Sequence, residues 1–268
     1  MRLKHSVKAY IFDLDGVITD TAKIHHQAWK ETFDCFFKGY LSDDDLPGND
    51  LPGNKLSNNN HPKFDDRVDY AKHLDGKSRI LGIQCLLNSR NIQLPLGQVT
   101  DKTLHSVQGI GNYKNTLFQT IIRQKGVSCF HDSIHLIRHL ANQNVLLALA
   151  SSSKNAEFVL NYTPIKQYFH RVLDGNTVAA LGINSKPAGD IYFECFRRLN
   201  LRADECVIIE DAAAGVQAAR AANPYLVVGI NRLHESNAEV LQAHGADIVL
   251  DSLADLMVDN RDGAYAVG

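Results

Sequence analysis

The chain predicts an α/β fold, a parallel sheet with crossover helices that is interrupted after its first strand by a helical insertion. Three observations carry this. Short apolar runs of strand length recur along the sequence, segments of helical spacing lie between them, and the stretch from about Thr21 to about Ser128 has helical intervals without a comparable strand run.

The first run, Ala9-Tyr10-Ile11-Phe12, is brief, apolar on both faces and ends at Asp13, with Gly16 close behind. That reads as a buried strand. After the insertion come Val145 to Ala150, Cys206 to Ile209, Tyr225 to Ile230 and Ile248 to Leu250, with helical segments such as Ala212 to Ala222 between them. Within the insertion, Leu117, Ile121 and Ile122 fall at helical intervals. Gly39 to Pro62 differs: it holds the tandem pentapeptide DLPGN at Asp45 to Asn49 and Asp50 to Asn54, then Asn58 to Asn60, and such turn chemistry predicts a flexible loop. The expected organisation is a core from residues 1–20 and 129–268, and a helical cap from 21–128 with its loop at about 39–62.

Composition narrows the function. Lys and Arg number 28 against 30 Asp and Glu, so the net charge of −2 gives no field that would draw nucleic acid or anionic lipid. The chain is 44% hydrophobic with a mean hydropathy of −0.20, as in an ordinary soluble domain. No apolar run approaches the roughly 18 residues that span a bilayer, and the run before Asp13 is too short for a secretory signal, so a cytoplasmic protein is expected. Five widely spaced cysteines without a Cys-x-x-Cys pair predict free thiols, neither a disulfide framework nor a zinc site.

The polar clusters follow the predicted strands. Asp13-Leu14-Asp15-Gly16 follows the first, Ser151 to Asn155 the second and Glu210-Asp211 the run CVII. In an open parallel sheet ligands bind outside the carboxyl ends of the strands, so these clusters are expected to converge. Taken alone, Asp-x-Asp can be a solvated turn and Ser151 to Asn155 a helix cap. Together the acids suit a hard divalent cation held by oxygens, and Lys186, in Asn184-Ser-Lys-Pro187, adds a positive charge.

These residues carry a resemblance. FDLDGVITD from Phe12 to Asp20, ALASSSKN around Ser151, SKPAGDIY around Lys186 and IIEDAAAGVQAA around Asp211 resemble the four motifs of the haloacid dehalogenase superfamily. DLDGVITDTAKIHHQAWK, Asp75 to Arg79 (DGKSR) and Gly111 to Asn115 (GNYKN) are most similar to the β-phosphoglucomutase family, in particular to members associated with disaccharide phosphorylases. The loop at 39–62 and Gly189, where that family usually has proline, depart from the pattern.

The resemblance implies a Rossmann-like parallel-sheet core with an inserted α-helical cap, and a Mg²⁺-dependent phosphoryl transfer between β-glucose 1-phosphate and glucose 6-phosphate through a bisphosphate. It implies Asp13 as the nucleophile that forms an aspartyl phosphate, and Asp15 as general acid and base, a position that dehalogenases lack. Asp13, Asp15 through its carbonyl, Asp211 and an outer Glu210 would surround the metal, while Ser151 and Lys186 would hold the transferring phosphate. In the cap, Gly76, Ser78 and Arg79 match the element that grips the other phosphate, a task suited to a guanidinium fork. Lys114 and Asn115 match sugar contacts of the cap, Ser153 and Asn155 contacts of the core. His25 and Trp29, four residues apart on one helix face, match residues beside the hinge, although Trp29 can equally be core packing. Three readings stay open: a mutase, a sugar-phosphate phosphatase with water as acceptor, and a non-catalytic sugar-phosphate binding protein. The expected partner is a sugar phosphate, with functional coupling to a disaccharide phosphorylase.

Overall fold

The computed structural model describes residues 7–41 (backbone alone from 39 to 41), 63–74, 78–232 and 237–257. It divides into two compact units, Met1–Thr21 with Gly126–Gly268, and Ala22–Lys125. In chain order the elements are β1 (Ala9–Phe12), α1 (Ala22–Leu41), a π-helical turn (Tyr70–Leu74), α2 (Arg79–Ser89), α3 (Val107–Lys125), α4 (His131–Asn142), β2 (Leu146–Ala150), α5 (Ala156–Leu160), β3 (Arg171–Leu173), α6 (Gly175–Leu181), α7 (Asp190–Leu199), β4 (Cys206–Glu210), α8 (Ala213–Ala222), β5 (Leu226–Ile230), α9 (Asn237–Ala243) and β6 (Ile248–Leu250).

In the first unit six strands form one parallel sheet in the order β3-β2-β1-β4-β5-β6. Residues of one parity, such as Ile11, Ala148, Ile208 and Val227, pack with Ile191, Phe196, Val216 and Ala219 of α7 and α8 in one core cluster. Those of the other parity, Phe12, Leu147, Leu149, Val207, Ile209 and Val228, are buried as well. Helices thus cover both faces, and strands buried on two sides read as unbroken apolar runs. The one strand that the sequence did not announce is β3, because it is three residues long, sits at the sheet edge and begins with exposed Arg171.

Every regular element among the described residues of the second unit is helical. Its core forms because Trp29, Phe33 and Phe37 recur every fourth residue of α1 and so share a face. Phe33 stacks on Trp29 at 5.5 Å, on Phe37 at 5.9 Å and on Phe64 at 5.1 Å. Ile83, Leu86 and Leu87 of α2 and Ile110 of α3 close the cluster, and burying each such side chain contributes about 1.5–3 kcal/mol. Helix α1 continues to Leu41, so Gly39 to Leu41 belong to it and not to the predicted loop; the rest of that segment, 42–62, lies outside the described residues, as does Gly76. No helix among the described residues is long and apolar enough to cross a membrane.

Candidate active site

Register brings the acids of the first unit together. Phe12 pairs with Leu149 on one side and Ile209 on the other, so β1, β2 and β4 end level with one another. The next residues are Asp13, whose amide donates to Ile209 O at 3.0 Å, and Ser151, whose amide donates to Leu173 O at 3.0 Å; Glu210 closes β4. From the loop before α7, Lys186 Nζ donates to Asp13 Oδ1 at 2.6 Å, Glu210 Oε1 at 2.6 Å and Ala150 O at 2.9 Å. Asp13, Glu210 and Asp211 each present an oxygen within 4.8 Å of the others. The packing leaves no room for side chains nearby. A Cβ at Gly16, whose φ is +84°, would lie 1.8 Å from Asp211 Oδ2, and one at Gly215 would lie 2.1 Å from Glu210 Oε2.

Burial sets the electrostatics. The Lys186 and Glu210 side chains are 7% and 2% exposed. Burial alone would lower Lys186, but Asp13 and Glu210 more than offset it and hold the ammonium well above its usual value. Glu210 is pushed up to about 7, first by burial, with Lys186 opposing and Asp13 adding to the rise. Asp211 stands well above the usual carboxylate range, because of burial and then the negative Asp13 and Glu210. One ammonium does not neutralise this many buried carboxylates, so the cluster has capacity for a further cation. Its donors are all oxygens, and they fit a hard divalent ion such as Mg²⁺.

Beside this cluster, the Thr21 hydroxyl donates to Asp15 Oδ1, and Thr19 Oγ1 approaches the same oxygen at 3.4 Å. Ser151 Oγ accepts the Ser153 amide at 3.1 Å and Ser153 Oγ the Asn155 amide at 3.2 Å, so these hydroxyls shape the turn into α5. Two further residues of the site escape the sequence reading. Tyr192, fully buried, donates its hydroxyl to Glu210 Oε1; the only signal was a polar atom six residues after Lys186 on an otherwise apolar helix face. Thr21 follows the Asp-rich motif, and the signal was a hydroxyl placed to turn back on Asp15.

In the second unit a different set converges. Lys114, 3% exposed on α3, has Nζ 2.6 Å from Nδ1 of His25 on α1. It sits 5.1 Å from the Trp29 ring centre and 4.8 Å from that of Phe118, contacts that favour a cation. His25 stacks on Phe118 at 4.3 Å. Burial, then Lys114 and Arg79, hold its pKa well below the usual value, so the neutral ring accepts from the lysine. Arg79, the first residue of α2, donates from Nη2 to Asn115 Oδ1 at 2.9 Å. Its stem passes so close to α3 that a Cβ at Gly111 would lie 3.1 Å from Arg79 Cδ. Ser78 is the N-cap residue of α2 and makes no side-chain capping bond. Trp29 serves the core and the Lys114 pocket at once.

A model of the haloacid dehalogenase-like hydrolase family matches residues 7–223. The chain belongs to that family. As a haloacid dehalogenase-like protein it is similar to β-phosphoglucomutases: 36% identical over 257 residues to that of Mycobacterium bovis, covering 95% of this chain and 93% of the relative, and 29% identical over 254 residues to that of Bacillus subtilis, covering 94% and 93%. The crystal structure of β-phosphoglucomutase from Clostridium difficile superposes with a TM-score of 0.64 at 26% identity, covering 94% of this chain and 93% of that one. The haloacid dehalogenase-like match ends at residue 223, yet β5 and β6 beyond it continue the same parallel sheet.

Proposed function

We propose that this protein is a β-phosphoglucomutase, which interconverts β-glucose 1-phosphate and glucose 6-phosphate through an aspartyl phosphate on Asp13 and β-glucose 1,6-bisphosphate. The observation that carries the reading is the pair of cations in the helical unit, Arg79 bonded to Asn115 and Lys114 buried against His25. Hydrolysis of a phosphate ester asks for the acid and lysine cluster of the sheet alone. A bisphosphate has a second phosphate to be gripped, and a guanidinium fork with a second cation is suited to that task. The similarity to curated β-phosphoglucomutases over almost the whole chain supports the same reading.

Phosphoryl transfer asks the protein mainly for positioning and charge stabilisation. The Asp13 carboxylate attacks phosphorus; Asp15 gives its proton to the departing sugar oxygen and later takes one from the attacking sugar hydroxyl, a contribution of about 10²–10⁴-fold. Thr21 and Thr19 hold the Asp15 carboxylate for that exchange. Ser151 and Lys186 hold the phosphoryl oxygens, where fixed donors act strongly on developing charge. Lys186 leaves its carboxylate partners in part to do so, and Tyr192 stays as a donor to Glu210. Asp13, Asp211, Glu210 and the Asp15 carbonyl would hold Mg²⁺, which when bound supplies positive charge against the phosphate. Ser153 and Asn155, beyond shaping their turn, Ser78 at the start of α2 and, from the sequence, Gly76 complete the substrate contacts of this reading.

The test is ³¹P NMR of products formed from β-glucose 1-phosphate with Mg²⁺ and a trace of glucose 1,6-bisphosphate. Glucose 6-phosphate as the main product supports the mutase; inorganic phosphate, or no turnover, overturns it.

A further inference from the structure

Away from the acid cluster, the first unit holds a second buried ion pair that the chemistry above does not use. Arg232, just past β5, forks onto Asp132 in the first turn of α4, Nη1 to Oδ2 at 2.9 Å and Nη2 to Oδ1 at 3.0 Å. The two side chains are 13% and 15% exposed. The same Nη2 donates to Ser133 Oγ at 3.0 Å and reaches Val17 O at 3.4 Å, and the guanidinium lies 4.0 Å over the Phe130 ring. Asp132 also accepts the Leu253 amide at 2.8 Å. Burial opposes its ionisation, but Arg232 and that amide keep it below the usual carboxylate value.

Apart from the Leu253 amide and the Ser252 hydroxyl at 3.3 Å, both donating to Asp132, the contacts around this pair lead to one short segment. Ser133 Oγ donates to Val17 O at 2.6 Å, Phe130 N to Ile18 O at 2.9 Å and Asp20 N to Ser128 O at 2.9 Å, while Thr19 bridges Cys129. Residues 17–20 are thereby pinned along 128–133, and from that segment and the residue that follows it Thr19 and Thr21 hold the Asp15 carboxylate. We propose that Arg232, through Asp132, Ser133 and the Val17 carbonyl, is a positioning residue for Asp15. This rests on the reading of Asp15 as the acid and base. Loss of Arg232 leaves Asp132 mostly buried without its counter-charge, a strongly unfavourable state. The segment then relaxes, and a misplacement of about 1 Å at a reacting group costs on the order of 10²-fold.

The test uses two donors that phosphorylate the same Asp13 but differ in the group that leaves. With glucose 1,6-bisphosphate, the Asp13 oxygen bonds to phosphorus, the phosphorus to sugar oxygen bond breaks and the proton of Asp15 goes to that oxygen. With acetyl phosphate the same bond forms and acetate leaves as a stable anion that needs no proton. For Arg232→Met, single-turnover phosphorylation by the bisphosphate is expected to slow by about 10- to 100-fold, and that by acetyl phosphate far less. Arg232→Lys keeps the charge without the fork and should fall between, and it stands in where the methionine variant does not fold. Equal losses with both donors would mean that the pair merely supports the fold, and would overturn the proposal. Asp15→Asn is run beside them. If it slows both donors equally, the acid and base reading falls and the proposal with it; if it shows the difference and both Arg232 variants do not, the proposal alone falls.

Discussion

On the proposed mutase reading, replacing Arg79 with alanine should separate the grip on a second phosphate from the chemistry at Asp13. The structural cost should be small: the side chain gives one bond to Asn115 and a stem contact near Gly111, while the core residues of α2 start at Ile83. One such hydrogen bond contributes about 0.5–1.5 kcal/mol to stability, so the variant stays folded. For function the loss is larger. A charge-assisted contact to a phosphate contributes roughly 1.5–3 kcal/mol, which lowers mutase kcat/KM by about 10- to 150-fold. The assay couples glucose 6-phosphate formation to its dehydrogenase and compares it with acetyl phosphate hydrolysis, in which no distal phosphate is held. The informative quantity is the ratio of the two losses. Equal losses would refute the reasoning, since Arg79 would then act on the fold or the sheet site, and the main argument for a mutase over a phosphatase would be gone.

Asp13→Asn should abolish turnover and the hydroxylamine-labile phosphoenzyme, because an amide is a poor nucleophile; appreciable phosphoenzyme by mass spectrometry would remove the aspartyl phosphate. His25 is held neutral with its pKa well below the usual value, so as pH falls below about 6.5 the unfolded chain takes a proton that the folded one refuses, and stability drops by up to about 1.4 kcal/mol per pH unit. His25→Gln should therefore lose less Tm than the parent between pH 7.5 and 5.5 on the approximate scale of that slope; parallel melting curves would contradict it. Because Glu210 is pushed up to about 7, Mg²⁺ binding should displace protons and strengthen as pH rises through that value. Calorimetry in buffers of different ionisation enthalpy reads the released protons, and binding without proton release at acid pH would contradict the metal assignment.

The sequence was informative wherever a residue's identity and its place on a strand were enough. The apolar runs located β1, β2, β4 and β5 because strands buried on both faces carry no polar alternation, and the run IVL located the half-buried β6, whereas the three residues of β3 gave no such signal. Asp13, Lys186, Glu210 and Asp211 were expected to meet on the strength of a parallel sheet, and they do because β1 lies between β2 and β4. What stayed hidden depended on the angle at which a side chain leaves its element. Tyr192 reads by periodicity as core, and it is core; only the structure shows its hydroxyl on Glu210. Arg232 and Asp132 stand 100 residues apart in sequence, each in a segment with no motif to mark it.

That central place of β1 also bears on how the chain reaches its native state. The strand is four residues long, and its two neighbours begin at Leu146 and Cys206, so each of its pairings closes a loop of well over a hundred residues. Contacts of such sequence separation form slowly. The helical unit is contiguous in sequence, and β4, β5 and β6 follow one another with short helical crossovers, so both can form early. The N-terminal strand is therefore expected to dock last, as a keystone between two strands that until that moment expose unpaired edges. Open edges of this kind are templates for other chains. A nick or truncation before Asp13 should thus yield aggregates instead of a smaller soluble sheet, and on this order Asp13 meets Glu210 and Asp211 only in the closing step of folding.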